Sequence, residues 1–191
     1  MKKIIIFYLV FGVFIVDGLI AQQNSFGTTP FIYFNQGIYE GIMVGYGIDL
    51  NYTRKVTNKI YLNLNFGKGR YLSENTTQLD LEKDETSFLP LTRWGIGADY
   101  SILTTKKMNM SVGTEFLLSR FIFVESIHID NSDQVTFRQT RMNNFHNYLI
   151  HLKTENKLGS RTFWTTQISY QPYFIHANEV FMVKSGVGFR F

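Results

Sequence analysis

The sequence predicts an all-β chain: a transmembrane, antiparallel, up-and-down β-barrel of about eight strands, preceded by a leader that is cleaved. Three observations predict it. Apolar and polar residues alternate at period two through most of the chain. The connections between the alternating segments are short and long in turn. The apolar face is also too bulky for the inside of a small barrel, so it must point outward.

The leader comes first. Lys2 and Lys3 form a positive n-region, Ile4 to Val16 is an apolar run, and Leu19-Ile20-Ala21 leads into Gln22-Gln23. That is the layout of a secretory signal peptide over 1–21, with cleavage near Ala21, leaving 22–191 as one barrel domain. As an uncleaved helical anchor, the 13 residues of that run would be too short for a hydrocarbon core of about 30 Å.

The strands follow in order. A first strand near Phe31 to Asn35 is the least defined, because Pro30 cannot donate to a ladder. Then Ile42, Val44, Tyr46, Ile48, Leu50 and Tyr52 oppose Gly45, Gly47, Asp49 and Asn51, and Ile60, Leu62, Leu64 and Phe66 oppose Asn63, Asn65 and Gly67. Trp94, Ile96, Ala98, Tyr100 and Ile102 oppose Arg93, Gly95, Gly97 and Asp99. Met108, Met110, Val112, Phe116 and Leu118 oppose Asn109, Ser111, Gly113 and Glu115. Tyr148, Ile150 and Leu152 oppose Asn147, His151 and Lys153, and Trp164, Thr166, Ile168 and Tyr170 oppose Gln167, Ser169 and Gln171. The last strand sets Phe181, Val183, Val187, Phe189 and Phe191 against Lys184, Gly186, Gly188 and Arg190.

Short polar turns fall at 55–58, 104–107 and 157–160, and longer segments at 71–91, 121–143 and 172–180. Tight periplasmic turns and long extracellular loops alternate in this way in outer-membrane barrels, and the count closes at eight strands with a periplasmic C-terminus. A soluble, lipocalin-like barrel would need the apolar face inside. An eight-stranded interior has room only for modest side chains, such as the Gly, Ser and Asn of the opposite face.

Composition narrows the function classes. The chain has 191 residues with no Cys, which excludes disulfide frameworks, thiolate metal sites and cysteine nucleophiles. The net charge of +4 is spread without basic runs, which argues against nucleic-acid binding. The four histidines, His128, His146, His151 and His176, match no compact metal-binding spacing, and no cofactor is expected.

The leader, the alternating strands and the ending Gly186-Val187-Gly188-Phe189-Arg190-Phe191 resemble the small outer-membrane barrels of the OmpA transmembrane-domain and OmpX type. The resemblance covers the mature chain and is architectural. It implies residence in a Gram-negative outer membrane, contact with outer-membrane lipid and lipopolysaccharide, and recognition of Phe189 and Phe191 as an assembly signal by the barrel-assembly machinery.

Inside such a barrel the polar face brings four acids, Asp49, Asp99, Glu115 and Glu155, to four bases, Arg93, Lys153, Lys184 and Arg190. Isolated buried charges are very costly, so these should form a salt-bridged plug rather than an open pore. A gated or proton-conducting channel using His151 is the sharper alternative.

The loops are the remaining candidate surface. Segment 71–91 is acidic, with Glu74, Asp80, Glu82, Asp84 and Glu85 against Lys83. Segment 121–143 reads as an extended hairpin around Asn131-Ser132-Asp133 and could pair with a partner strand. Ser126, His128 and Asp130 have the residue types of a nucleophilic triad, but such a triad needs a defined hydrogen-bonded order, and loops collect these residues by chance. His176-Ala177-Asn178-Glu179 lacks the serine and spacing of the His-x-Ser-Asn element of outer-membrane lipid A deacylases. The expectation is a non-enzymatic structural or surface-binding barrel whose extracellular loops, 71–91 and 121–143, meet an external ligand. A narrow channel or transport-related barrel is the alternative, and a lipid-modifying enzyme the third.

Overall fold

The computed structural model describes residues 23–37, 41–73, 89–129, 135–172 and 178–191. The leader and its cleavage site lie outside the described residues. Eight strands run in chain order: β1 (Asn24–Gly37), β2 (Gly41–Lys55), β3 (Ile60–Ser73), β4 (Leu89–Thr104), β5 (Met108–Ile129), β6 (Val135–Lys157), β7 (Thr162–Gln171) and β8 (Asn178–Arg190). Each pairs antiparallel with its sequence neighbour, and β1 pairs with β8, so the sheet closes into a barrel with no helix among the described residues.

The register fixes the shape. Following Cα partners from Asn24 through Arg54, Leu62, Ala98, Thr114, Ile150, Tyr170 and Phe181 returns to β1 at Phe34. One circuit therefore climbs from residue 24 to residue 34, a stagger that tilts the strands by about 35–45° from the barrel axis.

The period-two pattern produces two faces. Ile48, Trp94, Ile96 and Ile150 are each more than half exposed, with Trp94 at 58%, while Asp49, Arg93, Asp99 and Glu115 between them are buried. Side chains this apolar, ringing the whole exterior, require hydrocarbon rather than water as their solvent.

Three tight turns close one end. Val56 N donates to Ile60 O (2.8 Å), Thr105 N to Met108 O (2.8 Å) and Leu158 N to Thr162 O (3.0 Å). Thr57 and Thr105 hydroxyls accept from Ile60 N and Met108 N, each at 3.0 Å, the local side-chain bond that favours Thr in turns. The termini share this end: Asn24 and Phe191 exchange both backbone hydrogen bonds, at 3.2 and 3.0 Å.

Several strands reach further than their patterns announce. The first strand is not confined to Phe31–Asn35 but runs 14 residues, from Asn24 to Gly37. Pro30 is accommodated where the β1–β8 ladder is interrupted, between Thr28↔Val187 and Phe31↔Lys184, so its missing N–H costs no bond there. The segment 121–143 is mostly strand: β5 and β6 stay in register out to Ile129↔Val135, past shifts at Val124/Ser126 and His128/Ile129. Outward of Phe121 the β5 register runs against β6 rather than β4, so the two form a ribbon beyond the barrel wall.

The interior also departs from the expected small polar face. In the half away from the termini it is filled by an apolar cluster of Phe31, Tyr33, Tyr71, Leu91, Leu117, Phe121, Leu149, Val180 and Met182, each at most 2% exposed. Tyr71 and Phe145 meet the Phe121 ring edge-on, with centroids at 4.8 and 5.2 Å. These residues sit where alternation lapses into apolar runs, such as Phe116-Leu117-Leu118 and Tyr148-Leu149-Ile150. Gly45 and Gly47 leave space beside them: a Cβ at Gly45 would meet Tyr71 and Leu91, and one at Gly47 would meet the Phe31 ring.

Candidate functional site

The polar half of the lumen is built from pairs that meet across glycine. Asp49 on β2 and Arg93 on β4 both pair with Gly67 on β3. With no side chain between them, Arg93 Nε donates to Asp49 Oδ1 at 2.8 Å and Nη2 donates to Oδ2, a two-pronged contact. Asp99 on β4 and His151 on β6 likewise flank Gly113 on β5, and His151 Nε2 lies 2.7 Å from Asp99 Oδ1. A Cβ at Gly67 would strike Asp49 Oδ1, and one at Gly113 would strike both Asp99 and His151.

From these pairs two networks grow. Nearer the termini, Arg190 contacts Glu155 (2.7 Å), Glu155 contacts Lys153 (3.2 Å), and Lys153 contacts Asp99 (3.1 Å), which holds His151. Deeper in, Lys184 bridges Asp49 and Glu115, each at 3.1 Å, and Asp49 holds Arg93. Asn65 donates to Glu115 at 2.7 Å and Gln167 at 3.3 Å. All eight charged residues singled out on the polar face thus lie inside the barrel and are ion-paired. Four negative and four positive charges offset one another, and their mutual attraction and hydrogen bonds counter the desolvation cost of placing charge in a narrow, low-dielectric channel.

Two cavities adjoin the networks. One of about 210 Å³ opens at the end shared by the termini and is lined in part by Tyr61, Glu155, Lys157 and Arg190. A second, of about 30 Å³, lies between the networks against Glu115, His151, Lys153 and Lys184, enough for a water molecule or two. Past it the interior closes. The Arg93 guanidinium carbon sits 3.4 Å above the Phe31 ring, and Nη1 lies 2.7 Å from Met182 Sδ, so Arg93 is the seam between the ionic half and the apolar cluster.

The remaining candidates are dispersed. Phe189 and Phe191 point outward, at 44% and 62% exposure. His146 is on the outer face, stacked on Phe116 with centroids 5.9 Å apart. Ser126 and His128 are in β5, but their side chains, and Asp130 and His176 entirely, lie outside the described residues. So does most of the acidic segment 71–91. Among the described residues no His, Cys, Asp and Glu are grouped so as to hold a metal ion. Sequence reasoning missed the amides that complete the network, Asn65 and Gln167, and the Thr53–Asn63 and Thr29–Asn51 bonds at 2.8 and 2.7 Å. For Asn51, Asn63, Asn65 and Gln167 the signal was parity, each at an inward position on a strand already assigned, whereas Thr29 precedes the stretch assigned to the first strand.

No family model and no curated protein matches the chain. Solved structures do. The attachment invasion locus protein Ail of Yersinia pestis superposes with a TM-score of 0.57 at 10% identity, over 90% of this chain and 100% of that one. Neisserial surface protein A gives 0.56 at 12% identity, over 88% and 97%. AlkL, an outer membrane protein, gives 0.51 at 10% identity, over 89% of each chain.

The fold is therefore that of the small eight-stranded outer-membrane β-barrels. With its lipid-facing belt, the chain is an outer-membrane barrel whose lumen is ion-paired at one end and apolar at the other.

Proposed function

We propose that this barrel is a non-enzymatic surface protein whose work is done at its extracellular end, by binding or adhesion through 71–91 and the β5–β6 hairpin. The observation that carries the reading is the filled lumen. A conducting path would have to pass the Lys184–Glu115–Asp49–Arg93 layer and then a cluster of side chains at most 2% exposed. Such a scaffold is rigid and impermeable, which leaves its loops and outer wall as the working surfaces. The β5–β6 ribbon, paired out to Ile129 and Val135 beyond the last β4 partner, adds strand edges of the kind that present backbone to a partner. Ail and the neisserial surface protein, both of this fold, carry names that denote attachment and surface exposure.

The test has two readouts. In planar bilayers the purified barrel should show no stable open state; a reproducible unitary conductance would return the narrow-channel reading. In cells displaying the protein, removing 74–88 or trimming the hairpin to its Ile122 base should abolish attachment to a host-cell or matrix surface without lowering the amount of heat-modifiable barrel. A changed lipid A mass spectrum in expressing cells would instead mark a lipid-modifying enzyme.

A further inference from the structure

At the end shared by the termini, three strands finish on a cation: β2 on Lys55, β6 on Lys157 and β8 on Arg190. Each keeps the inward parity of its strand, in step with the buried Thr53, Glu155 and Lys184. All three line the cavity of about 210 Å³ that opens at this end. That is far above the roughly 10–15 Å³ that one water molecule needs, and it admits a small organic solute. The turns around the opening add Lys59, Lys106, Lys107 and Arg161. No acidic residue lies in 55–61, 104–109 or 157–162.

Charge inside this mouth does not cancel, in contrast to the networks deeper in the lumen. Glu155 supplies the acidic side chain of the lining, and it already contacts Lys153 at 3.2 Å and Arg190 at 2.7 Å. The half-buried Lys55 and the exposed Lys157 have no ion-pair partner among the described residues. Tyr61, the register partner of Lys55, keeps a hydroxyl with no hydrogen-bond partner among the described residues. Gln23, Thr104 and Asn109 add amide and hydroxyl groups to the lining, and Met108 adds an apolar patch. The mouth is also blind. Inward of it the Lys184–Glu115–Asp49–Arg93 layer and the apolar cluster close the lumen. A solute that enters is held rather than passed through.

We propose that this periplasmic mouth is a binding site for the free carboxyl end of a short peptide. Lys55 and Lys157 take the carboxylate, the Tyr61 hydroxyl donates to it, and Gln23, Thr104 and Asn109 meet the adjoining amide. Charge complementarity selects an anion, and the kind of cation selects the carboxylate. A phosphate favours the planar fork of a guanidinium, but Arg190 is already engaged by Glu155, which leaves two flexible ammonium groups as point charges. Amide and hydroxyl groups in the same lining match the donor and acceptor of a peptide bond. The site lies at the opposite end of the barrel from the loops and is independent of what they bind.

The experiment uses the full mature chain, isotope-labelled and refolded in uncharged detergent micelles. It is titrated with N-acetylalanine while the backbone amide signals of Lys55, Tyr61, Thr104 and Asn109 are followed by NMR. Those signals should shift and saturate. N-acetylalanine amide, which has the peptide group without the charge, should bind about tenfold more weakly or not at all. Lys55→Gln/Lys157→Gln should lower the affinity for N-acetylalanine about tenfold. Lys106→Gln/Lys107→Gln, whose side chains do not line the cavity, should match wild type, and inorganic phosphate at the same concentration should not displace the ligand. A wild type that does not respond overturns the site, as does equal binding of the uncharged amide. An equal loss in the Lys106/Lys107 variant also overturns it, leaving only the general field of the basic turns. Displacement by phosphate would leave a plain anion site and overturn the peptide assignment. The heat-modifiable band checks the folding of each variant, and Lys157→Gln alone repeats the comparison if the double variant does not refold.

Discussion

Asp49 and Arg93 stand on β2 and β4 with Gly67 of β3 between them, and they are bonded through the space its missing side chain leaves. The site is therefore specified by three strands at once, and by a glycine as much as by the charges.

Gly67→Ala should destabilise the barrel by about 1–3 kcal/mol, the usual cost of forcing a methyl group into a filled interior. The added Cβ would meet Asp49 Oδ1, with Arg93 Cγ at 2.9 Å. Urea unfolding in micelles, followed by the heat-modifiable band, measures the change. Unaltered stability would mean that the pair does not occupy this gap.

Lys184 is the shared cation of the deep network, touching both Asp49 and Glu115. Lys184→Met keeps its length and removes its charge. Asp49 then still has Arg93, but Glu115 keeps only the neutral Asn65 and Gln167. The loss should be about 3–5 kcal/mol, the range for breaking a buried ion pair. Adding Glu115→Gln should recover most of it, because no charge is then left without a partner. A double variant as unstable as the single one would show that packing, not charge balance, is at stake.

The strand faces and the eight lumen charges were legible because a barrel wall imposes parity. Once Trp94 and Ile96 are outward, Arg93 has only one other side to take. Glycine between charged positions was equally visible, although its part in letting Asp99 reach His151 appears only with the register. The apolar cluster was not legible, since Leu117 and Leu149 interrupt the alternation and resemble the lipid-facing residues beside them. The start of β1 was hidden for a related reason. Thr28, Thr29 and Pro30 carry little apolar contrast, and their strand is fixed by partners at both edges rather than by local pattern.

Phe121 centres the apolar half, with Tyr33, Tyr71 and Phe145 against its ring. Phe121→Ala should cost about 3–5 kcal/mol, the range for emptying a packed aromatic site. It should nevertheless stay non-conducting in planar bilayers, because the Arg93–Asp49–Lys184–Glu115 layer beneath is untouched. A stable current through this variant would make the cluster, and not the ionic layer, the seal.

The terminal pair separates assembly from stability. Phe191 is exposed on the outer face at the rim, with its backbone tied to Asn24. Phe191→Asp places a carboxylate where the belt meets water, at a cost of about 0–1 kcal/mol, too little to unfold a barrel. If that end of the chain is read during assembly, the variant should accumulate as unassembled periplasmic protein, yet refold normally from denaturant into detergent. Arg190 points the other way, contacting Glu155 at 2.7 Å with its guanidinium 4.8 Å from the Phe163 ring centroid. Glu155 keeps Lys153 when Arg190 is lost, so Arg190→Leu should insert normally and lose only about 1–2 kcal/mol, as expected for a charged hydrogen bond near an open mouth. Cell fractionation measures insertion and unfolding in micelles measures stability. Failure of Arg190→Leu to insert, together with normal assembly of Phe191→Asp, would mean that the inward residue rather than the outward one is recognised.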